Sequence, residues 1–144
     1  MKNNIRPFHL AIPITDIQEA YDFYVNVLGC KVGRKSNEWI DFNFFGHQVV
    51  GHLVSFKDSK ISTNNVDEED VPSRHFGLIM DTDSWKCLVD QLIDRDVKFF
   101  IKPQTRFEGS SGEQSTFFIM DPFNNALEFK AFENDEQIFS TENS

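Results

Sequence analysis

Apolar and polar residues alternate from Phe8 to Ile14, which predicts a strand with Phe8, Leu10 and Ile12 on one face and His9 and Ala11 on the other. The period then changes. Ile17, Ala20, Tyr21, Tyr24, Val27 and Leu28 recur at helical spacing. Asp16 is placed to cap that helix, Glu19 sits three residues on in a capping-box-like position, and Gly29 is a natural stop. A weak strand at Cys30–Arg34 follows. Trp39 to Phe45 alternates well, with Ile40, Phe42 and Phe44 opposite Asp41 and Asn43. Gly46-His47 predicts a tight turn, and Gln48 to Phe56 a strand running back, on which His52 shares a face with Val50 and Val54.

The plan then repeats. His75 to Met80 reads as a strand whose Phe76, Leu78 and Met80 face away from His75. Trp85, Leu88, Val89, Leu92 and Ile93 make a helical stripe entered through Asp81 to Ser84. Val97–Ile101, Ser115–Met120 and Ala126–Phe132 read as strands, Pro103–Gly112 as a loop, and Asp121 to Asn125 as a turn. Strand, helix, three strands, twice over, is an internal repeat, and it predicts an α+β fold of two paired βαβββ modules. The expected divisions are a first module at 7–56, a polar acidic linker at 57–73, a second module at 74–132 and an acidic tail at 133–144.

Laid on each other, the halves match His9 with His75, and Gly51 to Phe56 with Leu127 to Phe132, which pairs His52 with Glu128. Half-sheets facing each other as a half-open, barrel-like sheet, helices outside, would turn these positions towards a central cavity. Imidazoles and a carboxylate converging there suit a borderline divalent metal. Without one, a buried carboxylate needs compensating charge or several hydrogen bonds. His9, His75 and Glu128 are the expected ligands. His52 is a fourth ligand, an acid/base or a hydrogen-bond partner of the ligands. His47 reads as a turn residue without chemistry. Arg106 is the nearest fixed cation, suited to holding a substrate carboxylate or to a surface ion pair.

Composition narrows the function classes. The chain has 144 residues, 23 acidic against 14 basic, and a net charge of −9. Without a basic stripe it is a poor binder of nucleic acid or of an anionic membrane surface. No apolar run approaches the length of a membrane span, and the N-terminus lacks a signal-peptide pattern. Cys30 and Cys87 are therefore expected as reduced thiols in a cytoplasmic protein. The sixteen Phe residues are expected first to fill the core, and second to line a pocket. There is no phosphate loop, nucleophile elbow or Cys-X-X-Cys motif.

FHLAIPITD, FYVNVLGCKVGR and the final DPFNNALEFKAF resemble the vicinal oxygen chelate superfamily of glyoxalases, extradiol dioxygenases and fosfomycin- and bleomycin-resistance proteins. The last stretch is similar to the family's DP-x-G-N-x-x-E signature, with Asn124 where glycine is usual. WIDFNFFGHQVVGHL and VPSRHFGLIMD resemble, more narrowly, a small group of extradiol-dioxygenase-like proteins. The resemblance implies metal positions at His9, His75 and Glu128, a two-His, one-carboxylate triad that favours Fe(II), with Ni, Mn or Zn as alternatives. It implies a small-molecule substrate chelated through two oxygens, dioxygenase-like chemistry, and a homodimer as a common assembly. A glyoxalase-like lyase and a non-catalytic drug-sequestering protein are the alternatives.

Overall fold

A computed structural model describes residues 4–56, 61–66 and 68–141. The chain divides into two units. The first comprises residues 1–60 together with Asp121–Asn125, the second Ile61–Met120 and Ala126–Ser144.

The first unit carries a four-stranded sheet ordered β1-β4-β3-β2, built from β1 (His9–Ile14), β2 (Lys31–Lys35), β3 (Trp39–Phe44) and β4 (His47–Leu53). β1 and β4 are parallel neighbours, so the first and last strands of the module lie side by side. Asp16 caps the helix as expected, accepting the Glu19 N–H at 2.8 Å. The helix is regular only over α1 (Ile17–Tyr21) and widens into a π-helical stretch at Asp22–Val27. Tyr24, fully buried, stacks on Phe42 there, with ring centroids 4.8 Å apart. Gly29 ends the helix at φ 80°, the left-handed conformation that favours glycine. The hairpin turn falls one residue earlier than predicted: Phe45 and Gly46 take φ 52° and 96°, and His47 already pairs with Phe44. Two successive positive φ values give the twist that a two-residue hairpin needs.

The second unit repeats this order as β7-β10-β9-β8, from β7 (His75–Ile79), β8 (Phe99–Arg106), β9 (Gln114–Met120) and β10 (Ala126–Phe132). α2 (Thr82–Asp94) is capped by Asp81, and Trp85, Leu88, Val89 and Leu92 are buried. The Trp85 indole donates to the Phe129 carbonyl at 2.8 Å, fixing helix to sheet. Phe117 lies among Trp85, Phe99 and Phe129, at ring-centroid separations of 5.8, 5.3 and 5.4 Å. Each such side chain contributes about 1.5–3 kcal/mol of burial, so core filling accounts for many of the phenylalanines. Ile93, expected in the buried stripe, is exposed.

Two expectations are corrected. β8 continues through Pro103 to Arg106, where a loop was predicted. Among the described residues β8 pairs only with β9, and an edge strand tolerates a proline and the register shifts seen between Phe99 and Gln104. The stretch read as a linker contains a hairpin, β5 (Thr63–Val66) with β6 (Glu69–Pro72). Its polar composition hid one anchor, Val71, which packs with Ile101 and Phe118. Residues 57–60 and 67 of that stretch, like 1–3 and 142–144, lie outside the described residues.

The predicted turn Asp121–Asn125 completes the first unit. Asp121 is buried, and its carboxylate accepts the Tyr24 hydroxyl, the Phe123 and Asn125 N–H groups and the Asn125 amide at 2.7–2.8 Å. Burial raises the Asp121 pKa, and the bonds from Asn125, Tyr24 and Phe123 only partly offset that rise. The Asn125 amide also donates to the Pro13 carbonyl at 2.9 Å. Asn124 sits at φ 64°, a conformation that glycine adopts freely and asparagine better than most. The departure from the usual glycine therefore leaves the turn intact. Asn124→Gly should be near neutral in thermal unfolding, whereas Asn124→Val should lose about 1–2 kcal/mol; equal melting temperatures for the two variants would contradict this.

Candidate metal centre

The second unit brings two of the predicted ligands together. His75 opens β7 and Glu128 lies on β10, paired with Gly77. A Cβ at Gly77 would overlap the Glu128 carbonyl oxygen, so only glycine lets β7 come this close. The His75 Nε2 lies 3.0 Å from Glu128 Oε2. The other end of each side chain is tied down. His75 Nδ1 donates to the Pro72 carbonyl at 2.7 Å, and Glu128 Oε1 accepts the buried Thr116 hydroxyl at 2.7 Å. Phe118 holds the imidazole edge-on, with centroids 5.0 Å apart.

The electrostatics follow from these contacts. The bond to Glu128 raises the His75 pKa; burial and the Lys130 charge oppose the rise, and the Pro72 bond adds to it. Burial pushes the Glu128 carboxyl up, but the bonds from His75 and Thr116, with the charges of Lys130 and His75, together outweigh it, and its pKa is lowered.

In the first unit, His9 opens β1 and is exposed. Its Nδ1 lies 2.8 Å from the Gln48 side-chain oxygen. An amide oxygen only accepts, so Nδ1 is the donor, and in a neutral imidazole the lone pair is then on Nε2. His47 is more than a turn residue, since its Nδ1 accepts the Phe8 N–H at 2.9 Å.

The sheet registers correct the overlay of the halves. His9 pairs with Gln48 and His75 with Ala126, so Glu128 corresponds to Val50 and not to His52. Val50 is buried and offers no donor atom. His52 lies two residues further on, exposed, on the same face of β4 as Val50 and paired with Pro13; it corresponds to Lys130. The sequence overlay missed this because two-residue slips preserve strand alternation. Arg106 ends β8 opposite Gln114, half-buried, with its Nε and Nη2 atoms buried. Thr116, absent from the sequence-based candidates, joins the site by its bond to Glu128. Its spacing of 12 residues from Glu128 becomes informative only once β9 and β10 are paired.

Two donor atoms of the kinds that bind a divalent ion are brought together. Two donor atoms each about 2.1 Å from one ion, and at about a right angle there, would be about 3.0 Å apart, as His75 Nε2 and Glu128 Oε2 are. An Nδ1–H bonded to a carbonyl or amide oxygen is the arrangement that leaves Nε2 as the ligating nitrogen. Among the described residues no group of three or more His, Cys, Asp or Glu side chains is placed to hold a metal ion.

The chain belongs to the glyoxalase/bleomycin resistance protein/dioxygenase superfamily, whose family model matches residues 6–129. A crystal structure of a glyoxalase/bleomycin resistance protein/dioxygenase from Alicyclobacillus acidocaldarius is 39% identical, covers 96% of this chain and 100% of that one, and superposes with a TM-score of 0.82. Fosfomycin resistance protein FosX from Listeria monocytogenes (12% identity, 96% and 100% coverage, TM-score 0.65) shares the fold. So does lactoylglutathione lyase from Agrobacterium tumefaciens (14%, 90% and 96%, 0.62). No curated protein matches the sequence. No described helix is long and apolar enough to cross a membrane.

The His75–Glu128 pair predicts a pH window for the metal-free protein. The raised His75 pKa gives stability that is complete below the ordinary imidazole value and lost as pH rises through the raised one. The lowered Glu128 pKa gives stability present above the ordinary carboxyl value and lost as pH falls through the lowered one. Glu128→Gln should bring the His75 titration, followed by imidazole NMR shifts in metal-free protein, down towards 6.5; an unmoved titration would show that the two side chains do not interact. Gly77→Ala should perturb the same resonance and lower the melting temperature, because β7 must move away from β10.

Proposed function

We propose that this chain is a divalent-metal-dependent enzyme of the vicinal oxygen chelate type, dioxygenase-like, with Fe(II) the favoured ion. His75 and Glu128 supply two ligands, and His9 is the third. One observation carries the reading: His75 and Glu128 face each other at 3.0 Å while Pro72 and Thr116 hold their far ends. The two remaining donor atoms are thereby aimed at one point. His9 supports it, because Gln48 anchors its Nδ1 in the same tautomer. The family model and the relative from Alicyclobacillus acidocaldarius support the class of enzyme.

An ion so held would act as a Lewis acid towards two oxygens of a small substrate and, as iron(II), would also bind dioxygen. The protein's own residues have separable tasks. Thr116 and Pro72 restrict the rotation of Glu128 and His75, so the donors need little reorganisation. Phe118, packed against the imidazole edge, keeps water from that side of His75. Arg106 offers its positive charge to a second, more distant acidic group of the substrate. His52, displaced by two residues from the ligand position, is left the role of proton donor or acceptor.

Metal loading tests the proposal directly. Added Fe(II) or a redox-inert substitute such as Zn(II) should bind with one equivalent per site and stabilise the wild type by about 2.7 kcal/mol at a hundredfold excess over Kd. His75→Ala and Glu128→Gln should abolish that gain. Oxygen uptake with a panel of small aromatic diols should then separate dioxygenase from lyase chemistry. A wild-type protein that refuses added metal, or binds it equally well without His75, would defeat the reading.

A further inference from the structure

Lys130 follows Glu128 by two residues on β10, so both side chains leave the same face of the sheet. Its cross-strand neighbours are Ile79 on β7 and Thr116 on β9, and Thr116 is paired in turn with Gln104 on β8. This row runs beside the one that contains Gly77, Glu128, Phe118 and Ile101. Lys130 is half-buried. Its ammonium lies 5.5 Å from the centre of the Phe132 ring, and among the described residues no hydrogen bond or ion pair engages it. Its charge nevertheless reaches the site, acting on both Glu128 and His75. Glu128 is already satisfied by His75 and Thr116, and Thr116 has committed its only proton to Glu128. A cation thus stands beside the candidate metal ligands with its donors unspent.

We propose that Lys130 recognises a carboxylate on the substrate. The substrate class is then a small acid with two chelating oxygens and, about one strand repeat or about 7 Å from them, an anionic group. The inference rests on the metal-centred reading above and deepens it. A flexible stem ending in a compact charge suits this task, because the ammonium can follow the carboxylate within a row of the sheet. The net charge of −9 gives the inference its contrast. The long-range field of so acidic a chain disfavours anions, so a preference for an acidic ligand must be created locally.

Two probes differing by one carboxylate isolate the effect: catechol, and protocatechuate, which is catechol with a carboxylate on the ring. Their binding to the zinc-loaded full chain is measured by calorimetry, with zinc content and melting temperature checked for each variant. The wild type should bind protocatechuate about tenfold tighter than catechol, a worth of about 1.4 kcal/mol. Lys130→Gln should abolish that preference while leaving catechol binding unchanged, and Lys130→Arg should retain most of it. No preference in the wild type would overturn the inference. So would a Lys130→Gln variant that weakens both probes alike, since Lys130 would then only balance the charge of Glu128. Failure of catechol itself to bind zinc-loaded protein, or of zinc to load, would instead defeat the metal-centred reading and this inference with it.

Discussion

The approach of one backbone to another at Gly77 is the constraint on which the candidate site depends. β7 and β10 can run this close only because no side chain intervenes over the Glu128 carbonyl. The consequence is carried by register. With Gly77 opposite Glu128, His75 lies two residues up its strand and within 3.0 Å of the carboxylate. A one-residue slip would send one partner through to the helix-facing side. The chemistry of the site is thus secured by main-chain geometry, and the side chains that tie it down, Thr116 and the Pro72 carbonyl with its hairpin, act on donors already brought near.

A second buried carboxylate serves the architecture. Asp121 gives up water for a hydroxyl, an amide and two backbone N–H groups. A buried acid with so full a set of donors orders the groups around it, since each unmet donor would cost about 1–3 kcal/mol. The cluster fixes the π-helical stretch through Tyr24 and the strand β1 through Asn125 and Pro13. Glu128 and Asp121 are close in the chain, yet their environments give them opposite tendencies. Burial dominates at Asp121, while the bonds from His75 and Thr116, together with the Lys130 and His75 charges, outweigh it at Glu128.

The repeat made most of the fold legible. Strand alternation, the Asp16 cap and the Gly29 stop are local signals, and local structure follows them. The sequence also singled out His75 and Glu128, which lie 3.0 Å apart, although the overlay that drew attention to the carboxylate paired it with a residue two positions out of register. What it did not reveal lies in pairings between distant strands. Val50 and His52 satisfy the same alternation, so only the register shows which of them corresponds to Glu128. Thr116 looks like any strand threonine until β9 lies against β10. The β5–β6 hairpin was hidden by its polarity, since a single buried valine, Val71, anchors it. Pro103 argued for a loop because propensity does not reveal that β8 lies at an edge.

The loan of residues Asp121–Asn125 to the first unit also bears on how the chain can be made. On a ribosome the first sixty residues emerge early, carrying Tyr24 with no acceptor for its buried hydroxyl. That acceptor is synthesised 97 residues later. The first unit must therefore wait in an incomplete state until residues 121–125 have been made, and its consolidation is tied to a slow long-range closure.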